Sequence, residues 1–275
     1  MKVNNNLPVG IFDSGVGGLT VVKEVFKQLP HESIIYFGDT ARVPYGNKSK
    51  KVVQKFSVQI LNFLLTQKVK VVVMACNTAS AYALDTLRNK TGLPVIDVIE
   101  PGAKKSVELT RNNKIGIIGT EGTIRSQAYV KAIRKYSSKV KVFSQPCPLF
   151  VPLVEEGWAG SAHKHIVKEI AEKYLKSLKQ INVDTLILGC THYPWLENII
   201  AEVMGKKVKL VSSAYETANF VKDVMKVNNI LSNNKQPRHK IFVSDSPQKI
   251  IAFGKKYAVK NMNPSNVKNI DIEKY

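Results

Sequence analysis

Short apolar runs of strand length alternate with helical stretches along almost the whole chain, and that alternation leaves few folds open. Val71-Val72-Val73-Met74 and Thr185-Leu186-Ile187-Leu188 have strand length and composition, and each leads into a segment with helical periodicity. Strands are likewise expected at Val9–Phe12, Ser33–Phe37 and Pro94–Val98. Between them, Leu19, Val22, Val25, Phe26 and Leu29 fall on one helical face, and Ser49 is placed to cap a helix carrying Val53, Phe56, Ile60 and Leu64. This rhythm implies parallel strands with helices on both faces. It restarts with a strand at Lys114–Thr120, a helix from Ile124 to Tyr136, a strand at Val140–Phe143 and a long helix from Ser161 to Leu178. Beyond the strand that ends at Cys190 come a strand at Val208–Val211, a helix from Tyr215 to Val227, a strand at Lys240–Val243 and a helix from Pro247 to Tyr257. The polar stretch Asn228–His239 reads as a surface connection. The expected architecture is α/β: two similar parallel-sheet domains related by pseudo-two-fold symmetry. One comprises residues 1–98 with 214–275, the other 99–213.

Composition narrows the class. A chain of 275 residues, 44% of them hydrophobic, can fill one large or two modest cores. No apolar run approaches the roughly 18 residues of a membrane span, and Met1–Pro8 has no hydrophobic signal region. Three cysteines, an odd count in a long chain, favour reduced thiols and a cytoplasmic setting. The formal charge of +20 invites weak, non-specific nucleic-acid binding. Its lysines are scattered, however (Lys48, Lys50 and Lys51; Lys206, Lys207 and Lys209), with no RNA-binding aromatic signature or zinc-finger spacing beside them. A lysine-rich solvated surface accounts for them more simply.

The chemistry gathers at strand ends, where open α/β sheets bind their ligands. Cys76-Asn77-Thr78 follows one apolar run and Gly189-Cys190-Thr191-His192 the other. Two thiols on two similar units suggest one sulfur on each side of a substrate, suited to removing a proton from one face of a carbon and returning one to the other. A buried cysteine is more often inert core, but amides at a helix N-terminus lower a thiol pKa and favour the thiolate. Zinc held by Cys76, Cys190 and His192 is a further reading, without the close Cys-x₂-Cys or His-x₃-His pairing that usually anchors such a site. Acid–base chemistry uses the remaining pieces better. Asp13, Glu155 and His192 can manage protons, while Ser14, Asn77, Thr78, Thr120, Thr123 and Thr191 offer neutral donors to a carboxylate.

Gly10-Ile11-Phe12-Asp13-Ser14-Gly15-Val16-Gly17-Gly18 competes as a dinucleotide fingerprint, with Asp39 roughly 20 residues on. Thr20 occupies the third glycine position, and Asp13 sets a negative charge where a pyrophosphate should lie. Asp13 fits better as a proton acceptor or as a cap for the next helix. The loop Phe37–Gly46 follows the second strand, with Pro44 and Gly46 shaping it and Tyr45 placed to line a polar pocket.

Taken together, the segments at 10–21, 37–46, 75–81, 119–123, 147–155 and 189–194 make the chain resemble the glutamate racemases, in the cofactor-independent aspartate/glutamate racemase superfamily. The resemblance implies an active site in the cleft between the two domains, with Cys76 and Cys190 as the two acid/base groups. Asp13 would assist Cys76, while Glu155 and His192 would assist Cys190. Ser14, Tyr45, Gly46, Asn77, Thr78, Thr120, Thr123 and Thr191 would hold substrate, with Asp13 and His192 also in contact. It further implies no metal and no pyridoxal phosphate, dimeric assembly, and D-glutamate made for peptidoglycan. Cys147, flanked by Pro146 and Pro148, reads as structural.

Overall fold

The structure, a computed structural model, describes residues 5–256 and 263–275. The residues Met1–Asn4 of the signal reading, and Tyr257 at the expected end of the last long helix, lie outside them. Strands and helices alternate as β1 (Val9–Asp13), α1 (Leu19–Gln28), β2 (Ile34–Gly38), α2 (Lys50–Thr66), β3 (Val71–Met74), α3 (Asn77–Arg88), β4 (Val95–Asp97) and α4 (Ile99–Leu109). The second series is β5 (Lys114–Gly119), α5 (Glu121–Ser126), α6 (Ala128–Tyr136), β6 (Lys141–Pro146), α7 (Phe150–Glu155), α8 (Lys164–Gln180), β7 (Thr185–Gly189), α9 (Glu197–Met204) and β8 (Lys209–Ser212). The chain then runs through α10 (Ser213–Val227), β9 (His239–Val243), α11 (Pro247–Lys256) and β10 (Val267–Asn269).

Two sheets result, every pairing parallel. One has the order β10-β9-β2-β1-β3-β4 and the other β6-β5-β7-β8. The runs β2-β1-β3-β4 and β6-β5-β7-β8 are wound in the same order, and β9 and β10 extend the first sheet. The last block of sequence thus returns to the first sheet. In both sheets the central strands are buried along their length, as the helices on both faces require. Among the described residues no helix is long and apolar enough to cross a membrane.

Several elements depart from the sequence expectation for local reasons. The helix at Ile99–Leu109, which contains Pro101 and Gly102, is not among the elements expected from sequence. Both residues fall in its first turn, where proline costs no hydrogen bond, and Asp97 Oδ1 accepts from the amides of Ile99 and Glu100 at 2.7 and 2.9 Å. The expected single helix from Ile124 to Tyr136 starts earlier, at Glu121, and is interrupted by left-handed Gln127 (φ 58°). At Ser161 the chain first makes a 3₁₀ turn, and the α-helix begins at Lys164.

The connection after α10 is less superficial than its polar sequence implies. Ile230 and Ser232 are buried, because they complete the shell of an ion pair inside the protein. Lys70 Nζ lies 2.6 Å from Glu32 Oε2 and donates to the Ile230 carbonyl at 2.7 Å, while the Ser232 amide donates to Glu32 Oε1 at 2.7 Å. Two charges removed from water need such satisfaction of their remaining hydrogen-bonding capacity.

Candidate active site

Asp13 ends β1 and Cys76 follows β3; Thr120 follows β5 and Cys190 follows β7. In each sheet the chain leaves the first of these strands to one side and returns on the other. The crevice beyond their ends is therefore a topological switch point, where such sheets take ligands. The two crevices share one cavity, walled by Cys76 from one sheet and Cys190 from the other. About 20 Å³ of room remains in it, enough for a water molecule but not for an amino acid. Beyond it opens a vestibule of about 280 Å³ lined by Val43, Pro44, Thr120, Pro148, Val151 and Glu155.

On the Cys76 side Asp13, Ser14 and the thiol are all buried. The thiol is a weak hydrogen-bond donor to Ser14 Oγ at 3.6 Å, and its sulfur accepts from the Ala79 amide at 3.5 Å as the N-cap of α3. The helix-end amide does not produce the lowered pKa expected from sequence. Burial, followed by the charge of nearby Asp13, pushes the Cys76 thiol up to about 12. Asp13 is itself fully buried, and burial raises its carboxyl above the usual range against the pull of His192. Its Oδ2 accepts from the Gly15 amide at 3.0 Å, and its Oδ1 accepts from Thr191 Oγ1 at 3.3 Å. Asp13 thus organises the glycine turn without capping α1, whose N-cap Gly18 makes no side-chain cap hydrogen bond, and its charge acts on the Cys76 thiol.

The Cys190 side is built differently. His192 Nδ1 lies 3.8 Å from Cys190 Sγ, and its Nε2 lies 3.1 Å from Glu155 Oε1. Burial alone would lower the imidazole pKa, but the hydrogen bonds to Cys190 and Glu155 outweigh it and push it up to about 10. Burial alone would likewise raise Glu155, yet the hydrogen bond and charge of His192, helped by Lys249, hold it well below the usual carboxylate range. Their hydrogen bond favours the imidazolium and the carboxylate. One sulfur thus faces a carboxylate, the other an acid.

Polar groups close the cavity across the two sheets. Thr78 Oγ1 lies 2.9 Å from Thr120 Oγ1 and 3.2 Å from Thr123 Oγ1, and Thr120 and Thr123 are 3.0 Å apart. The Gly122 amide donates to the Gly46 carbonyl at 2.8 Å. Asn77, which lines the cavity, accepts at Oδ1 from Tyr129 at 2.7 Å, and its buried Nδ2 has no partner among the described residues. An unsatisfied buried donor is costly and is rarely kept without a use. Ser14, Tyr45, Gly46, Thr191 and His192 also line the cavity, while Asp13, Thr123 and Glu155 stand behind its wall. The Tyr45 hydroxyl turns away and donates to Asp39 Oδ2. Cys147 is buried outside this wall, with its thiol against the Gln145 carbonyl and its own carbonyl accepting from Tyr193 at 2.9 Å. Among the described residues no three His, Cys, Asp or Glu side chains form a group that could hold a metal ion.

The glycine run has a role that its sequence hides. A Cβ on Gly17 would stand 2.4 Å from Thr191 Oγ1 and 2.6 Å from His192, and one on Gly18 would stand 2.4 Å from Asp13 Cβ. Gly17 lets the Asp13 loop approach the Cys190 loop, and Gly18 lets the same loop fold back over Asp13. Sequence reasoning also missed Val43 and Val151, which line the cavity, and Lys249, whose ammonium is 2.8 Å from Glu155 Oε2. Nothing near Lys249 in sequence marks it.

Comparison with known proteins agrees with this geometry. A family model described as Asp/Glu/Hydantoin racemase matches residues 14–221. A glutamate racemase from Geobacter metallireducens is 51% identical over 250 residues, covering 90% of this chain and 92% of that protein. The crystal structure of a glutamate racemase isoform from Bacillus anthracis superposes with a TM-score of 0.93 at 39% identity, covering 98% of each chain. A glutamate racemase from Francisella tularensis, solved in complex with D-glutamate, superposes with a TM-score of 0.91 at 39% identity, covering 98% of this chain and 100% of that one. The two parallel sheets, the paired strand-end cysteines and these likenesses converge: the chain belongs to the Asp/Glu/Hydantoin racemase family, on its glutamate racemase branch.

Proposed function

We propose that this racemase interconverts L- and D-glutamate by passing the Cα proton between Cys76 and Cys190. The carrying observation is one cavity walled by both thiols, each backed by its own buried acid–base group. On this reading residues 1–98 with 214–275 form the Cys76 domain and 99–213 the Cys190 domain. Following the family, Cys76 serves the D face and Cys190 the L face. Asp13 accepts the Cys76 proton when that thiol must become the base, and its raised pKa makes it a better acceptor than a solvated carboxylate. The α-ammonium of an entering substrate favours the Cys76 thiolate by offsetting the charges that burial and Asp13 disfavour. His192, held by Glu155, exchanges a proton with Cys190. The free N–H of Asn77, with Ser14, Thr78 and Thr191, meets the α-carboxylate and its developing negative charge.

The narrow cavity must widen for glutamate to enter from the vestibule, and closing again around substrate would exclude water. The test is solvent exchange: glutamate incubated with the enzyme in D₂O should gain deuterium at Cα from either enantiomer, with no metal or pyridoxal phosphate added. Activity that EDTA abolishes, or a strong preference for aspartate, would refute the reading. We further infer a cytoplasmic homodimer supplying D-glutamate to peptidoglycan synthesis. Its +20 surface should bind DNA only weakly, with retention lost as salt rises towards physiological strength. Tight sequence-specific retention at that salt would contradict this.

A further inference from the structure

Helix α11 packs against β10 in the six-stranded sheet, but one of its faces belongs to the other half of the molecule. Three residues spaced i, i+4 and i+7 cross over together. Lys249 Nζ lies 2.8 Å from Glu155 Oε2, the oxygen not used by His192. The buried Phe253 ring meets Trp195 edge to face at 5.7 Å. Lys256 Nζ donates to the Gly157 carbonyl at 2.9 Å. Glu155, Gly157 and Trp195 all lie in segments that follow strands of the four-stranded sheet.

We propose that α11 is a strap between the two domains and that its Lys249 is a positioning residue for proton exchange at Cys190, acting through Glu155 and His192. The proposal rests on the reading of Cys190 as a base. A carboxylate held at one oxygen can swing; held at both, it fixes the Nε2 contact of His192 and so aims Nδ1 at the sulfur. Charge acts in the same place. His192 faces Glu155, Asp13 from β1 and the Cys190 sulfur, and the Lys249 ammonium offsets part of the anionic field that would otherwise hold its proton. Because Lys249 comes from the opposite domain, the relay is complete only when the two halves are together.

The test compares Lys249→Met, Lys249→Gln and Lys249→Arg in the full chain. The two neutral variants should lose about tenfold in kcat/KM, a fraction of what a general acid–base group supplies. The loss must be equal in both directions, because the overall equilibrium ties the two values together. The arginine variant should recover most of it, since a guanidinium can reach the same oxygen. With glutamate deuterated at Cα, the isotope effect on kcat should rise for the L enantiomer and not for the D enantiomer. A merely structural lysine would move neither the one-sided isotope effect nor the rescue. Neutral variants within twofold of the parent, or isotope effects rising alike for both enantiomers, would overturn the proposal. Failure of the underlying reading would look different: Cys190→Ala would itself still racemise.

Discussion

Cys76→Ala and Cys190→Ala should each abolish racemisation, yet leave opposite half-reactions intact. Inversion at Cα needs one group to remove the proton and another, on the far face, to deliver one, so losing either breaks the cycle. A positioned general acid or base contributes about 10²–10⁴-fold, and each alanine variant should fall at least that far. The surviving sulfur remains competent. In Cys190→Ala, Cys76 still has Asp13 to take its proton and should exchange Cα–H, or eliminate a leaving group from Cβ, with the D enantiomer. In Cys76→Ala, Cys190 still has the His192–Glu155 pair and should act on the L enantiomer. Measuring elimination from both enantiomers of a β-substituted glutamate reads this directly. Substantial racemisation by Cys76→Ala, or a shared enantiomer preference in the two variants, would sink the two-base assignment.

The two halves should also differ in how they fail. Burial and Asp13 push the Cys76 thiol up to about 12, so on the proposed reading its proton should leave only as substrate enters, with Asp13 as the acceptor. Cys190 instead faces an imidazolium whose proton is held by Glu155. One thiol is paired with a buried carboxyl, the other with a buried imidazole whose protonated form is favoured. That asymmetry is a property of the tertiary surroundings, since both cysteines sit at equivalent strand ends in sheets of the same winding.

What the sequence reveals and what it hides divide along the same line. The parallel sheets were legible because apolar runs such as Val71–Met74 and Thr185–Gly189 are covered on both faces and show it in composition. The thiols were legible because each terminates such a run. The ionisation of Cys76 was not, because helix-end amides are local while burial and the approach of Asp13 are not. The helix at Ile99–Leu109 was not read from the sequence; its Pro101-Gly102 is tolerated because it falls in a first turn whose leading amides donate to Asp97. Lys249 was invisible because its partner lies 94 residues away in sequence, in the other half of the molecule. The glycine run resembles a phosphate loop, a reading that Thr20 and Asp13 already argue against, but what presses on Gly17 is Thr191 and His192, which local sequence does not show.

Gly17→Ala should therefore cripple the enzyme without unfolding it. The added Cβ would lie 2.4 Å from Thr191 Oγ1 and 2.6 Å from His192 Nδ1, closer than side-chain carbons approach such atoms. Those two atoms face the reacting centre: Thr191 Oγ1 donates to Asp13, and His192 Nδ1 contacts the Cys190 sulfur. Neither neighbour is a free end that can swing aside, because both residues are buried and His192 is held by Glu155. Relief must come from moving the two loops apart, and a misplacement of about 1 Å near a reacting centre costs about 10²-fold. We expect kcat/KM to fall by about that factor in both directions, with the melting temperature changed by only a few degrees. Gly102→Ala is the matched control, since its Cβ would meet Tyr129 at an ordinary 3.5 Å inside α4. Alanine in a helix is about 1 kcal/mol more favourable than glycine, so that variant should keep its activity and hold or gain stability. If Gly17→Ala stayed within twofold of the parent, the close approach of the Asp13 and Cys190 loops would not be what assembles the site. If both alanine variants lost activity alike, the effect would belong to alanine at any packed glycine, and the contact between the halves would lose its special place.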